Sequence, residues 1–133
     1  MSGSLDSPFI AYVLDQLSGL GPAKARPMFG GHGIYLHGVM FGLVAADTLY
    51  LKTDTGNRAM FEATGAQPFV YDGNRRQVAL SYHEVPADAM EDAEALLPLA
   101  RGAYAAAQRG LRRRGQKRER QHRAPPAKES EKT

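Results

Sequence analysis

The residues whose types could do chemistry are few. His32, His37 and His83 are candidate metal ligands, and Ser81 with His83 is a candidate nucleophile and base. The three histidines follow no recognised ligand spacing, and His37 precedes a glycine in a turn-like dipeptide. Ser81 and His83 stand two apart in a strand-like run, which puts both on one face, and no Gly-x-Ser-x-Gly elbow surrounds the serine. The chain has no cysteine, so it has no thiolate nucleophile, disulfide or cysteine-ligated zinc. Gly30-Gly31-His32-Gly33 could offer N–H groups to a phosphate. Phosphate loops, however, run from a strand into a helix N-terminus, and this one runs into a strand, so a tight structural turn is the favoured reading. The residues assign no catalytic group, metal or cofactor, and an enzyme ranks third among the readings.

Groups suited to binding are better represented. Arg26 precedes the glycine run and could meet an acidic partner or a phosphate, but an ion pair with Glu84 or Asp47 is favoured. Tyr50, Lys52, Tyr71 and Tyr82 lie at strand positions that can share a face. Aromatics with a lysine there would suit stacking of single-stranded nucleic acid, or ordinary rim packing or a dimer face. The net charge of +3 conceals a division: residues 1–108 carry −4 and residues 109–133 carry +7. Arg112, Arg113, Arg114, Lys117, Arg118, Arg120 and Arg123 could neutralise nucleic-acid phosphates without reading sequence. The bland alternative is a solvated tail that keeps the protein soluble.

These groups need elements to position them. Ser7-Pro8 reads as a helix cap with proline at the first position, and Phe9, Ile10, Val13, Leu14 and Leu17 share a helical face, predicting a helix over 7–18. Met28-Phe29 is expected to anchor the glycine run in a core. Strands are predicted over 33–36, 39–45 and 48–52, joined by turns at His37-Gly38 and Ala46-Asp47. Along the middle strand Val39, Phe41, Leu43 and Ala45 point one way and Met40, Gly42 and Val44 the other. Both faces are apolar, which suggests a covered central strand and makes a homodimer plausible. Asp54 or Thr53 is expected to cap a short helix with Met60 and Phe61 turned inward and Gly65 at its end. A second hairpin spans 69–71 and 78–82. Asp88 and Glu91 resemble a capping box, and a helical face runs through Leu96, Leu97, Ala100, Tyr104 and Ala107, with a kink expected at Pro98. Beyond Gly110 the composition is too polar to offset the cost of ordering. The expected division is therefore an α+β domain over 1–110 and a disordered basic tail over 111–133. Five strands in two antiparallel groups, with helices before, between and after, predict a two-layer domain in the order α-β-β-β-α-β-β-α.

Several blocks occur together in order: Arg26-x-Met28-Phe29-Gly30-Gly31-x-Gly33-Ile34-Tyr35, Gly38-x-Met40-Phe41-Gly42-Leu43, Leu49-Tyr50-Leu51-Lys52, Gly65-x-x-Pro68-Phe69-x-Tyr71 and Ser81-Tyr82-x-x-Val85-Pro86. Over about residues 25–109 they resemble the N-terminal domain of the TfoX/Sxy family, regulators of competence genes. The resemblance implies an α+β fold like that of type III secretion chaperones. It also implies a non-enzymatic role in transcription of DNA-uptake genes, acting with the cAMP receptor protein in the best-known members. It brings no catalytic residues. Full-length members carry a second helical domain; this chain reads as a stand-alone copy with a basic tail in that place. The family-motif residues Arg26, Met28, Phe29, Gly30, Gly31, Gly33, Tyr35, Lys52 and Tyr82 are read as structural or partner-binding, and the expected partners are a protein and, through the tail, nucleic acid without regard to sequence. The alternative is a chaperone-like protein-binding module with no transcriptional role. No signal-peptide pattern opens the chain, and the longest apolar run, 38–46, is too short to cross a bilayer. A cytoplasmic location without membrane contact is expected.

Overall fold

The computed structural model describes residues 7–28, 30–66, 68–73 and 76–127, with 68–73, 76–80 and 117–127 described by their backbone alone. Helix α1, Pro8–Gln16, starts as the sequence predicts: the Ser7 hydroxyl accepts from the Ile10 N–H at 3.4 Å, and Pro8 needs no N–H partner there. Strands β1 (Lys24–Met28), β2 (Gly31–Leu36), β3 (Val39–Ala45) and β4 (Thr48–Lys52) form a meander. Helix α2 (Arg58–Glu62), hairpin β5 (Pro68–Gly73) and β6 (Arg76–Glu84), helix α3 (Ala87–Met90) and the long helix α4 (Ala93–Ala127) complete the chain.

The α+β class holds, but the sheet differs from expectation. The strands form one antiparallel six-stranded sheet in the order β1-β2-β3-β4-β6-β5. The additional strand is β1. Pro27 hides it in the sequence, since proline cannot donate to a ladder; β1 lies at the sheet edge, where proline is tolerated. Pairing of Tyr50 with Glu84, Leu51 with His83 and Lys52 with Tyr82 joins the two groups of strands. The glycine run thus belongs to a hairpin: Gly30 turns with φ 77°, and Gly31 to Gly33 already lie in β2. Phe29 lies outside the described residues.

Both short turns form with positive φ, at His37 (51°) and Gly38 (80°) and at Ala46 (52°) and Asp47 (57°), the twist that tight hairpins require. Between them the alternation slips. Ile34 pairs with Gly42 and Tyr35 with Met40, leaving Phe41 as an extra residue. The bulge sends Phe41 into the core beside Val44, while Leu43 stays half-buried. The strict alternation expected for β3 therefore fails at Phe41.

One face of the sheet carries the core. Ile34, Leu36, Phe41, Val44, Leu49 and Leu51 pack against Ile10, Val13 and Leu17 of the α1 segment and Leu96, Leu99, Ala100, Ala103 and Ala107 of α4. Tyr104 meets Phe41 edge-on, with centroids 5.9 Å apart at 85°. Four local expectations are corrected. Asn57, not Asp54 or Thr53, occupies the cap position of α2 and makes no side-chain cap bond, and Met60 stays 40% exposed while Phe61 is buried. No capping box forms at Asp88 and Glu91; instead Asp92 accepts from the Glu94 N–H at 3.0 Å at the start of α4. Helix assignment is continuous through Pro98, whose missing N–H falls opposite a carbonyl of the exposed first turn.

The largest correction lies past Gly110. The backbone remains helical through Ala127, where a disordered stretch is expected from 111 on. Propagating a helix that is already nucleated and packed requires little. Leu, Arg, Lys, Gln and Glu, which dominate here, are good helix formers.

Two substitutions test this account. A Cβ at Gly31 would sit 2.1 Å from the Val44 carbonyl oxygen, so Gly31→Ala should destabilise the fold by roughly 2–4 kcal/mol in denaturant titration. Ala46→Asn should instead stabilise it by about 0.5 kcal/mol, because asparagine tolerates the left-handed conformation better than alanine.

Candidate functional site

Residues alternating with the core strands build the opposite face. Gly33 defines it: a Cβ there would meet Met28 Sδ and Tyr35 Cε1 at 2.9 Å and Met40 Cε at 3.3 Å. Gly33 thus makes room for three side chains of β1, β2 and β3. Met28 belongs to this face and not to the core, correcting its expected role as a core anchor. Arg26, paired with Gly33, reaches over the Tyr35 ring at 5.2 Å from its centroid. The guanidinium is placed by this ring rather than by an ion pair with Glu84 or Asp47. Across the sheet Lys52 Nζ lies 5.3 Å from the centroid of the Tyr82 ring, its direct neighbour. Tyr50, opposite Glu84, shares the face; burial first, and then the Glu84 charge, raises its phenol pKa. Tyr71 has no described side chain.

Arg26, Met28, Gly33, Tyr35, Lys52 and Tyr82, scattered over the sequence, are therefore brought together. Gly30 and Gly31 shape the hairpin beside them. At one end of the face lies a cleft of about 320 Å³ lined by Tyr35, Gly38, Val39, Met40, Lys52, Tyr82 and, from α4, Ala107, Leu111 and Arg114. Burial lowers the Lys52 pKa, and the Arg114 and Arg113 charges lower it further against the opposing pull of Asp54. Burial raises the Tyr82 pKa, Tyr35 adds to this, and Arg114 opposes it. Of the expected nucleic-acid contacts, Arg112, Arg113 and Arg114 are all exposed on α4, and Arg114 also lines the cleft. Lys117, Arg118, Arg120 and Arg123 lie on the α4 backbone, their side chains outside the described residues.

A feature that sequence reasoning missed holds α4 in place. Arg109 donates from Nε and from a terminal nitrogen to both carboxylate oxygens of Asp54, each at 2.7 Å, across 55 residues. The Gly56 N–H donates to the same carboxylate at 2.8 Å. The Arg109 hydrogen bond is the main cause that holds the Asp54 pKa at about 2. Asn57 completes the joint, donating to the Lys52 carbonyl at 2.9 Å and accepting from the Asp54 N–H at 2.8 Å. No local pattern in the sequence announces a pair this far apart.

The histidines are separated. His83 is buried in the core, its Nδ1 2.9 Å from the Thr53 hydroxyl and its ring beside Phe61, and burial lowers its pKa. Thr53, not Ser81, is therefore its partner. His37 sits in a turn, and His32 has a buried Nε2 without a partner among the described residues. No group of three or more His, Cys, Asp or Glu among the described residues is placed to hold a metal. No helix among them is long and apolar enough to cross a membrane.

A six-stranded antiparallel sheet with helices packed on its core face and cation–aromatic pairs on the other defines a two-layer α+β domain. The TfoX N-terminal domain model matches residues 15–107, and the chain belongs to that family. Compared with curated proteins, the chain finds no match.

The Asp54–Arg109 joint predicts a pH dependence. Folding holds Asp54 below its ordinary value of 3.8, so its contribution to stability is full above that value and is lost as pH falls through about 2. Asp54→Asn should destabilise the domain at neutral pH, and the gap between variant and wild type should close between about pH 4 and pH 2 in urea unfolding.

Proposed function

We propose that this chain is a regulatory domain that works by docking on a protein partner in the transcription of competence and DNA-uptake genes, without making or breaking covalent bonds. One observation carries the docking reading: six residues of the family blocks, from Arg26 to Tyr82, gather on the sheet face opposite the core. The regulatory context comes from membership of the TfoX N-terminal domain family. Arginines, methionines and tyrosines are also the side chains that anchor protein interfaces. In this reading the protein acts in the cytoplasm, and the basic stretch from Arg112 to Arg123 adds sequence-independent attraction to nucleic acid near the docking site.

Deletion in the native cell should lower DNA-uptake transcripts; unchanged transcripts would sink the regulatory reading. Affinity capture should recover a partner with the wild-type chain. The Tyr35→Ala variant should lose roughly 30-fold in affinity for it, as expected for an aromatic anchor worth about 2 kcal/mol. For the basic stretch, replacing Lys117, Arg118, Arg120 and Arg123 with glutamine should reduce the salt slope of duplex binding by about 3–4. An unaltered slope would remove nucleic acid from the proposal.

A further inference from the structure

We propose that the cleft between the end of the sheet and α4 binds a phosphate monoester carried on a nucleotide-sized organic body. The inference deepens the docking proposal by naming a ligand for the same face, and it rests on that proposal only in taking this face as the working one.

Charge is the first argument. Lys52 and Arg114 line the cleft, and no aspartate or glutamate does. The charge of Arg113 also reaches Lys52, more strongly than the opposing charge of Asp54. Lys52 contacts the Tyr82 ring and, among the described residues, forms no ion pair. A half-buried ammonium that shares its cleft with Arg114, and that Asp54 offsets only in part, is an arrangement a compensating anion would relieve. A phosphate monoester carries about −1.5 to −2 near neutral pH, against −1 for a carboxylate, so it answers this field better.

Hydrogen bonding is the second. Neither the Tyr35 nor the Tyr82 hydroxyl has a hydrogen-bond partner among the described residues, yet both rings line the cleft. Three phosphate oxygens offer acceptors for an ammonium, a guanidinium and a phenol together. Shape is the third. A volume of about 320 Å³ falls at the lower end of small-molecule sites. Val39, Met40 and Leu111 supply an apolar side to it, and Leu111 is otherwise left 45% exposed. The ligand would pair its phosphate with Lys52 and Arg114 and lay its body against Leu111. The joint from Asp54 to Arg109 fixes the turn of α4 that precedes Leu111, so the two walls are held in place before any ligand arrives.

Two sources share this chemistry: a free nucleotide and the 5′-phosphate of a single strand. Calorimetry on the full chain with AMP, adenosine, inorganic phosphate, and oligothymidylate with either a 5′-phosphate or a 5′-hydroxyl distinguishes them. AMP should bind at least tenfold more tightly than adenosine. Lys52→Gln and Arg114→Gln, each with an unchanged circular dichroism spectrum, should each weaken AMP at least tenfold, while Arg101→Gln, at an exposed position of α4 outside the cleft, should leave it unchanged. Tighter binding of AMP than of the 5′-phosphorylated strand supports the free-nucleotide source, and the reverse order, with the 5′-hydroxyl strand weak, supports the strand end. Equal binding of adenosine and AMP would overturn the proposal. So would an Arg101→Gln effect as large as that of Arg114→Gln, or displacement of AMP by an acidic peptide at the same concentration. A chain that binds none of the probes but still supports DNA-uptake transcripts would overturn this inference and leave the docking proposal standing.

Discussion

Close apposition of α4 to the sheet is the constraint on which this structure depends. The inward positions Ala100, Ala103 and Ala107 are small and buried, which lets the helix axis approach β3 and β4. Larger residues, Leu96 and Leu99, fill the space nearer its start. Because the helices' large buried side chains are spent on one side of the sheet, the other side is left to residues with polar or charged ends. Arg26, Lys52 and the tyrosines cover apolar area with their stems and rings while presenting their heads outward.

The same apposition gives the sequence beyond the family match a structural role. The match ends at 107, but the helix does not. Arg109 grips Asp54 two residues later, and Leu111 and Arg114 then reach the end of the sheet. A pair with both carboxylate oxygens engaged has directional preference as well as charge, and it ties α4 to the segment after β4 just before the helix reaches the cleft. The buried face of α4 sets which side of the helix meets the sheet, and Arg114 then lines the same cleft as Lys52. The cleft is thus a product of two long-range facts, the β4–β6 pairing that brings Tyr82 to Lys52 and the packing of α4 across the sheet.

Glycine operates at two distances in this face. Gly31 permits a carbonyl of the neighbouring strand to come nearer than any Cβ would allow, and Gly33 leaves room for Met28, Tyr35 and Met40. The first is a backbone requirement and the second a side-chain one. They differ in what substitution would disturb: strand pairing at Gly31, and the placing of Arg26 on Tyr35 at Gly33.

Local pattern was enough for the elements whose chemistry is local. The Ser7-Pro8 start, the His37-Gly38 and Ala46-Asp47 turns and the inward residues of α1 follow from neighbours a few positions apart, and the α+β class follows from their order. The blocks from Arg26 to Pro86 were also legible, together with the family they indicate. That Tyr50, Lys52 and Tyr82 can share a face was legible as well, but which side chains touch was not, because cross-strand register depends on pairings between distant segments. Pro27 concealed β1, a bulge moved Phe41 to the core, and composition alone made residues 111–127 look unstructured when the packed helix before them carries their backbone onward. The residue types in the chain therefore determined its elements and its family. Tertiary structure decided that Lys52, Tyr82 and Arg114 would share one cleft, since only chain closure over tens of residues could bring those charges and rings together.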